Sequence, residues 1–325
     1  MDRRSFSRLL MACLCAAGVS QAAAQGDWPT RPITLVVPLA PGSPTDIMAR
    51  AIGAELQQRL GQAVVVENKP GGGSLIATSA VQNAKPDGYT YLFAISAHTI
   101  NPATRRQARY DPIKDFTPVG LIGAVPHILV VGKHLPVNNL RELIALAKSK
   151  PDKLSYGSAG IGISNHLEGE LFSNLIGVDL VHVPYKGGTT EARNDVLTGR
   201  VDMLFDLVSI VRPYLKDGRL KPIGVAQAKR SRLAPELPTL AESGLPAFDV
   251  MPWTGMLGPA GIDPAIVAKF SQALRDTLAD QKIIDRLAGM GIETVGSTPQ
   301  QFTEFLKRDL AIWTDVARKA KIELD

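Results

Sequence analysis

The chain has 325 residues, of which 45% are apolar and 21% charged, and a formal net charge of +5. That length exceeds what one hydrophobic core needs and suits two α/β lobes, and the composition is that of an ordinary globular protein. Asp2, Arg3, Arg4 and Arg8 contribute +2 of the charge, which leaves only about +3 for everything after residue 24. With no basic block interleaved with aromatics, a nucleic-acid partner is not expected.

The first 24 residues read as a signal peptide. A charged segment, Asp2 to Arg8, precedes an apolar stretch, Leu9 to Val19, that is too short to span a bilayer. Ala22-Ala23-Ala24 offers small residues for cleavage after Ala24, and the periplasm is the expected destination. Arg3-Arg4-Ser5-Phe6 resembles a twin-arginine export signal. Both cysteines, Cys13 and Cys15, fall inside this segment, so the mature chain is expected to have no disulfide, thiol nucleophile or cysteine metal site.

In chain order, Ile33–Leu39 reads as a strand. A Pro-Gly-Ser-Pro turn follows, and then a helix marked by Ile47, Ala51, Ala54, Leu56 and Leu60 that stops at Gly61. Val64–Glu67 is a strand, Ser74 is placed to cap a helix over Leu75–Asn83, and Tyr89–Ile95 is a third strand. This alternation predicts a parallel sheet wound with helices. A second unit repeats it: strands at Ile128–Val131, Lys153–Gly157, Leu180–Val183, Val201–Phe205 and Lys221–Val225, with helices at Leu140–Lys148, His166–Ile176 and Thr190–Leu197. Ala228–Phe248 reads as irregular, and Pro264–Ala288 and Pro299–Ala320 as two long amphipathic helices. The expected domains are 27–125 plus 255–325 for one lobe and 126–254 for the other, with crossings near Val125 and Trp253. A single (β/α)8 barrel is the competing architecture.

Two strand-to-helix loops stand out chemically. In Pro41-Gly42-Ser43-Pro44-Thr45-Asp46, Ser43 and Asp46 have capping-box spacing and Pro44 occupies the first helical position. Gly157-Ser158-Ala159-Gly160-Ile161-Gly162-Ile163-Ser164 also opens into a helix. Such turns present backbone N–H groups and a positive dipole end to an anion, typically a carboxylate. The predicted ligand-binding residues are Gly42, Ser43, Thr45 and Asp46 on the first loop, and Ser158, Ala159, Gly160, Ser164 and His166 on the second. Ser96, His98, Tyr185 and Asp206 complete the set. Asp46 is expected chiefly to order its own loop. Neither loop has an arginine or lysine, so the hydroxyls of Ser43, Thr45, Ser158 and Ser164 are expected to assist the backbone. His127, His134 and His182 are read as ordinary surface or core histidines.

Catalysis is not expected. The nucleophile-elbow pattern G-x-S-x-G is absent, the glycines of the second loop run in the wrong order for a dinucleotide fingerprint, and no histidines have metal-site spacing. Neither a cofactor nor a metal is expected.

Several stretches are characteristic: Pro41 to Arg50; Glu67-Asn68-Lys69-Pro70-Gly71-Gly72-Gly73; Asn101-Pro102; Tyr110 to Phe116; Val183 to Gly187 with Gly199 to Asp202; Leu237 to Gly244; and Trp253-Thr254-Gly255. In this order they resemble the Bug receptors, the extracytoplasmic solute-binding proteins of the tripartite tricarboxylate transporter family. The resemblance covers essentially the whole mature chain. It implies a periplasmic-binding-protein (Venus flytrap) fold with the ligand in a cleft between lobes. It also implies that the two loops grip a ligand carboxylate through backbone N–H groups and ordered water. The chain departs from that family at Ser43, where a second glycine is common, and at Thr104-Arg105-Arg106, where relatives are usually more apolar; those arginines are read as surface. The expected partners are a small carboxylate ligand and either membrane permease subunits or a membrane sensor, with the receptor itself a monomer.

Overall fold

The structure is a computed structural model that describes residues 28–150 and 153–325. The expected signal segment and both cysteines lie outside the described residues.

The described chain forms two sheets, of six and five strands, rather than a closed barrel. In the first, β1 (Ile33–Val37), β2 (Val64–Asn68) and β3 (Thr90–Ile95) run parallel, with Ile33 beside Val64 and Thr34 beside Thr90. Helices α1 (Pro44–Leu60) and α2 (Leu75–Gln82) link them, as the alternating pattern predicts. α3 (Ala97–Thr104) follows β3. β4 (Phe116–Ala124) and β10 (Trp253–Pro259) then pair antiparallel in the middle of the sheet. The sheet is therefore mixed rather than parallel. Its central strands are those by which the chain leaves and re-enters it, and they meet their neighbours from the opposite direction.

β4 ends at Ala124 and β5 (His127–Gly132) begins the second sheet. There, β6 (Ser155–Ser158), β7 (Val181–Pro184), β8 (Met203–Leu207) and β9 (Leu220–Val225) run in one direction, and β5 lies antiparallel between β8 and β9. The strand order is β7-β6-β8-β5-β9. α4 (Leu140–Ser149), α5 (Ser164–Ile176), α6 (Thr189–Thr198) and α7 (Val208–Lys216) accompany this sheet. The outgoing and returning crossings lie side by side, with Val125 N–H donating to Pro252 O at 2.8 Å.

The predicted helix over Pro264–Ala288 is two helices, α8 (Pro264–Leu278) and α9 (Gln281–Gly289). They divide where the Asp280 carboxylate accepts from Lys282 N and restarts the chain as a cap. α8 packs on the six-stranded sheet, where Phe270 stacks on Tyr91 at 4.2 Å between ring centroids. The short β11 (Glu293–Thr294) pairs with β4 and completes that sheet in the order β11-β4-β10-β3-β1-β2. α10 (Pro299–Lys319) starts with a full capping box between Thr298 and Gln301. Its first half buries Phe302 and Leu306 with the six-stranded sheet, and its second half buries Trp313 and Val316 with the core of the five-stranded one. Ser74 departs from expectation. It precedes α2 at φ +83° and makes no side-chain cap, because the glycine loop before it delivers the chain in a left-handed conformation.

Asp309 ties these parts together. Its carboxylate, 4% exposed, accepts from Thr99 Oγ1 (2.6 Å), Trp253 Nε1 (2.9 Å) and Trp313 Nε1 (3.0 Å). Burial pushes its pKa up to about 6, against the pull of the three donors. Replacing Asp309 by leucine would strand two indole N–H groups in the interior, whereas the Thr99 hydroxyl could still turn to Ser96 O at 3.0 Å. Each orphaned donor costs roughly 1–3 kcal/mol, and adjacent losses are not additive. Asp309→Leu should therefore lower stability in urea unfolding at pH 7 by about 3 kcal/mol, and Asp309→Asn, which keeps an acceptor, by less.

Candidate functional site

The first loop is built around Asp46. Ser43, at the N-cap of α1, accepts from Asp46 N at 3.3 Å. The Asp46 carboxylate reaches back to Gly42 N (2.9 Å), one residue beyond the partner a standard capping box would use. It also accepts from Arg50 Nε (3.1 Å) and Asn68 Nδ2 (2.9 Å). Arg50, with Gly42 and Asn68, outweighs burial and holds the carboxyl down at about 2. Gly42 itself has φ +80°, a conformation that favours glycine. Asp46 therefore shapes the loop, and the Ser43 oxygen accepts the cap hydrogen bond while its O–H remains a donor.

The second loop is also internally braced. Ser158, fully buried, accepts from Gly160 N (3.1 Å) and shares a 2.6 Å hydrogen bond with His182 Nε2. Asn165 Oδ1 accepts from Ala159 N (3.2 Å), and His166 Nδ1 accepts from Gly162 N (3.0 Å). Gly160 and Gly162 lie at φ +129° and +76°. Beneath the loop, the His166 and His182 rings stack with centroids 3.9 Å apart, and Tyr156 stacks on His182 at 4.9 Å. Burial lowers both imidazoles, His166 to about 3 with help from His182, and His182 to about 4. Both are neutral at neutral pH, as the acceptor role of His166 requires. Ser158 and His166, predicted to touch the ligand, brace the loop and line neither cavity, and His182, read as an ordinary histidine, is part of the same brace.

The helices that follow both loops meet at one cleft. Thr45, Ser74 and Ser96 from the six-stranded side and Gly162, Ile163 and Ser164 from the five-stranded side line a cavity of about 350 Å³. A second cavity of about 420 Å³ shares Ile163 and Ser164 with it and continues over Ala159, Thr189, Arg193 and Asp206. The first N–H groups of α5 and α6, at Ser164, Asn165, Thr189 and Thr190, and that of Thr45 on α1 have no intrahelical acceptor, and these residues line the cleft at the positive ends of the three helices. Thr45 and Ser164 both line it. Ser96 is there too, its Oγ accepting from Trp253 N at 2.7 Å.

Of the predicted residues, Gly42, Ser43, Asp46, Ser158, Gly160 and His166 belong to the loops but line neither cavity, and His98 and Tyr185 lie away from both. His98 is buried on the far side of α3. Its Nε2 bonds to Pro112 O at 3.0 Å, its ring packs against Tyr110 and Phe116, and burial lowers it to about 4. Tyr185 donates to Asp195 Oδ2 at 2.7 Å and packs with the core around Val196. Asp206 does reach the cavity wall, but as a partner of Arg193 Nε (2.7 Å) and Leu207 N (2.7 Å). Sequence reasoning missed Ser74, Thr189, Arg193 and His127, all on the cavity walls. The turn Gly187-Gly188-Thr189-Thr190 repeats the glycine-to-hydroxyl entry into a helix and was the available signal for Thr189. His127 is held by the buried Glu168 at 2.7 Å. Burial alone would lower it, but Glu168 and Asp206 more than offset that and raise it. Arg105, read as surface, also lines the cleft.

Two α/β lobes with helix N-termini converging on a cleft define a solute-binding receptor of the periplasmic-binding-protein type. The chain belongs to the tripartite tricarboxylate transporter family receptors, which match residues 48–322. That family is one of receptors rather than enzymes. The fold is similar to that of the periplasmic binding protein BugD (35% identity, TM-score 0.69, covering 91% of this chain and 100% of that one). It is also similar to Rpa4515 of R. palustris with adipate (36%, TM-score 0.72, 92% and 100%) and to MatC of Rhodopseudomonas palustris with bound malate (34%, 0.69, 89% and 99%).

The histidine brace makes the second loop sensitive to acid. A histidine whose folded pKa lies below its ordinary 6.5 contributes stability that is complete above that pH and is lost as the pH falls through the folded value. His166→Gln keeps an acceptor for Gly162 N–H and removes one titrating group. Its stability in urea unfolding should therefore fall less steeply than the parent's between pH 6.5 and 4.

Proposed function

We propose that this protein captures a small carboxylate in the periplasm and delivers it to the permease subunits of a tripartite tricarboxylate-type transporter. Residues 1–24 serve as the export signal. Residues 27–125 with 255–325 act as one lobe and 126–254 as the other, and the receptor works as a monomer. The reading is carried by one observation: Thr45 and Ser164, in the first turns of helices from opposite sheets, line the same cavity. A carboxylate there meets two positive helix ends and two hydroxyls at once. The adipate and malate of the two R. palustris relatives support the same ligand class.

Gripping from both lobes gives the closed form a higher affinity than an open one, and differential affinity is what a population shift requires. A bound receptor should accordingly show a smaller radius of gyration in small-angle scattering than the free one. An unchanged radius with saturating ligand would count against closure.

Calorimetry with adipate and malate as first probes tests the site itself. Ser164→Ala should weaken binding by about 1–2 kcal/mol, the net worth of one hydroxyl contact. Gly160→Val should cost more, because φ +129° is a conformation that a β-branched residue rarely adopts and the loop would have to rearrange. Binding unaffected by Gly160→Val would show that the second loop does not hold the ligand.

A further inference from the structure

We propose that Arg105 reads a second anionic group of the ligand, so that the cleft selects dicarboxylates over monocarboxylates of the same length. The inference rests on the carboxylate reading of the cleft and adds a residue and a charge requirement to it.

The charges on the cavity walls are already partly matched. Arg193 is committed to Asp206 at 2.7 Å, and His127 to Glu168 at 2.7 Å, so each cation of the five-stranded side has its own carboxylate. Arg105 is different. Among the described residues it forms no ion pair within 4.0 Å, although Arg106 beside it pairs outward with Glu323. Arg105 nevertheless lines the cleft, half-buried, together with Ser74 and Asn101.

Its position is fixed. Arg105 Nε donates to Asn101 Oδ1 at 3.1 Å, and Asn101 Nδ2 donates in turn to Gly73 O at 2.7 Å. The guanidinium lies against Gly73, where a Cβ would come within 3.4 Å of Nη2. Gly73, with φ +62°, provides the turn that brings this backbone against the cation. Nε is anchored, and no protein acceptor is assigned to the two terminal nitrogens among the described residues. A planar fork held this way suits a carboxylate, which it can engage with two charge-assisted hydrogen bonds.

One carboxylate answers the helix ends at Thr45 and Ser164. An unpaired cation on the same cavity wall calls for another negative group on the same ligand. Arg105 also borders a surface groove with Arg106 and Lys321, so this second subsite lies at the cleft's rim, away from the cavity formed around Arg193.

The test is calorimetry on the full mature chain with two matched pairs of acids, adipate with hexanoate and succinate with butyrate. The parent should bind at least one diacid ~tenfold or more tightly than its monoacid. Arg105→Met should remove that preference while leaving monoacid affinity within about twofold, and Arg105→Lys should keep part of it. Arg109→Met, which changes an exposed arginine that lines none of these cavities, should behave as the parent, and melting temperatures identify any variant that fails to fold. Monoacid binding by the parent without diacid preference would overturn the assignment and leave the carboxylate reading standing. Equal weakening of both acids by Arg105→Met would also overturn it, by placing Arg105 at the first carboxylate. Binding of none of the four acids by the parent would remove the carboxylate reading, and this inference with it.

Discussion

A carboxylate buried among two tryptophans and a threonine holds the architecture together. Asp309 sits midway along α10, where it takes hydrogen bonds from α3, from β10 and from the next turn of its own helix. Water would solvate this group far better than the interior does, and the rise of its pKa to about 6 records that cost. What offsets the cost is that two buried indole N–H groups find their acceptor there. The arrangement fixes the rotation of α10, which has to present Phe302 and Leu306 to one core and Trp313 and Val316 to the other. It also fixes Trp253, whose backbone N–H is held by Ser96 on the cleft wall. The long terminal helix thus reaches the cleft wall through two hydrogen bonds.

The cleft itself is made of backbone ends positioned by side chains most of which do not line it. Asp46 and Asn68 shape one loop, and Asn165, His166, His182 and Ser158 shape the other. An anion site assembled from helix termini needs rigid termini, since the N–H groups act through orientation rather than through a mobile charge. That division explains why several polar residues of the two loops point inward. It also sets Arg105 apart, as a cation lining the cleft with no carboxylate partner among the described residues.

The two winding units, and nearly every element with a clean apolar period, were legible in the sequence. The elements α3, α7, β4 and β10 were not, and each of these carries an internal breaker: Pro102, Pro213, Pro118 with Gly120 and Gly123, and Gly255 with Gly258. Proline removes a donor and glycine weakens a strand, so local propensity disfavours each segment. Tertiary packing overrides that propensity. Gly255 has no side chain because Phe302 of α10 lies over that point of β10, and Gly123 lets the Glu293 carbonyl approach β4 to 2.6 Å of where a Cβ would stand. The break between α8 and α9 was similarly hidden, because the apolar period runs through it and only the cap at Asp280 marks it.

By itself the sequence determined the fold class, the two strand-to-helix loops and the kind of ligand they suit, because caps, glycines and periodicity act within a few residues along the chain. It also placed Thr45 and Ser164 on those loops. Tertiary structure decided which side chains line the cleft. Ser43, Ser158 and His166 accept from nearby backbone N–H groups of their own loops, and His98 was drawn into the core. Arg105 and Thr189, far apart in the chain, came to the same cleft because two sheets face each other there, and no local pattern encodes that meeting.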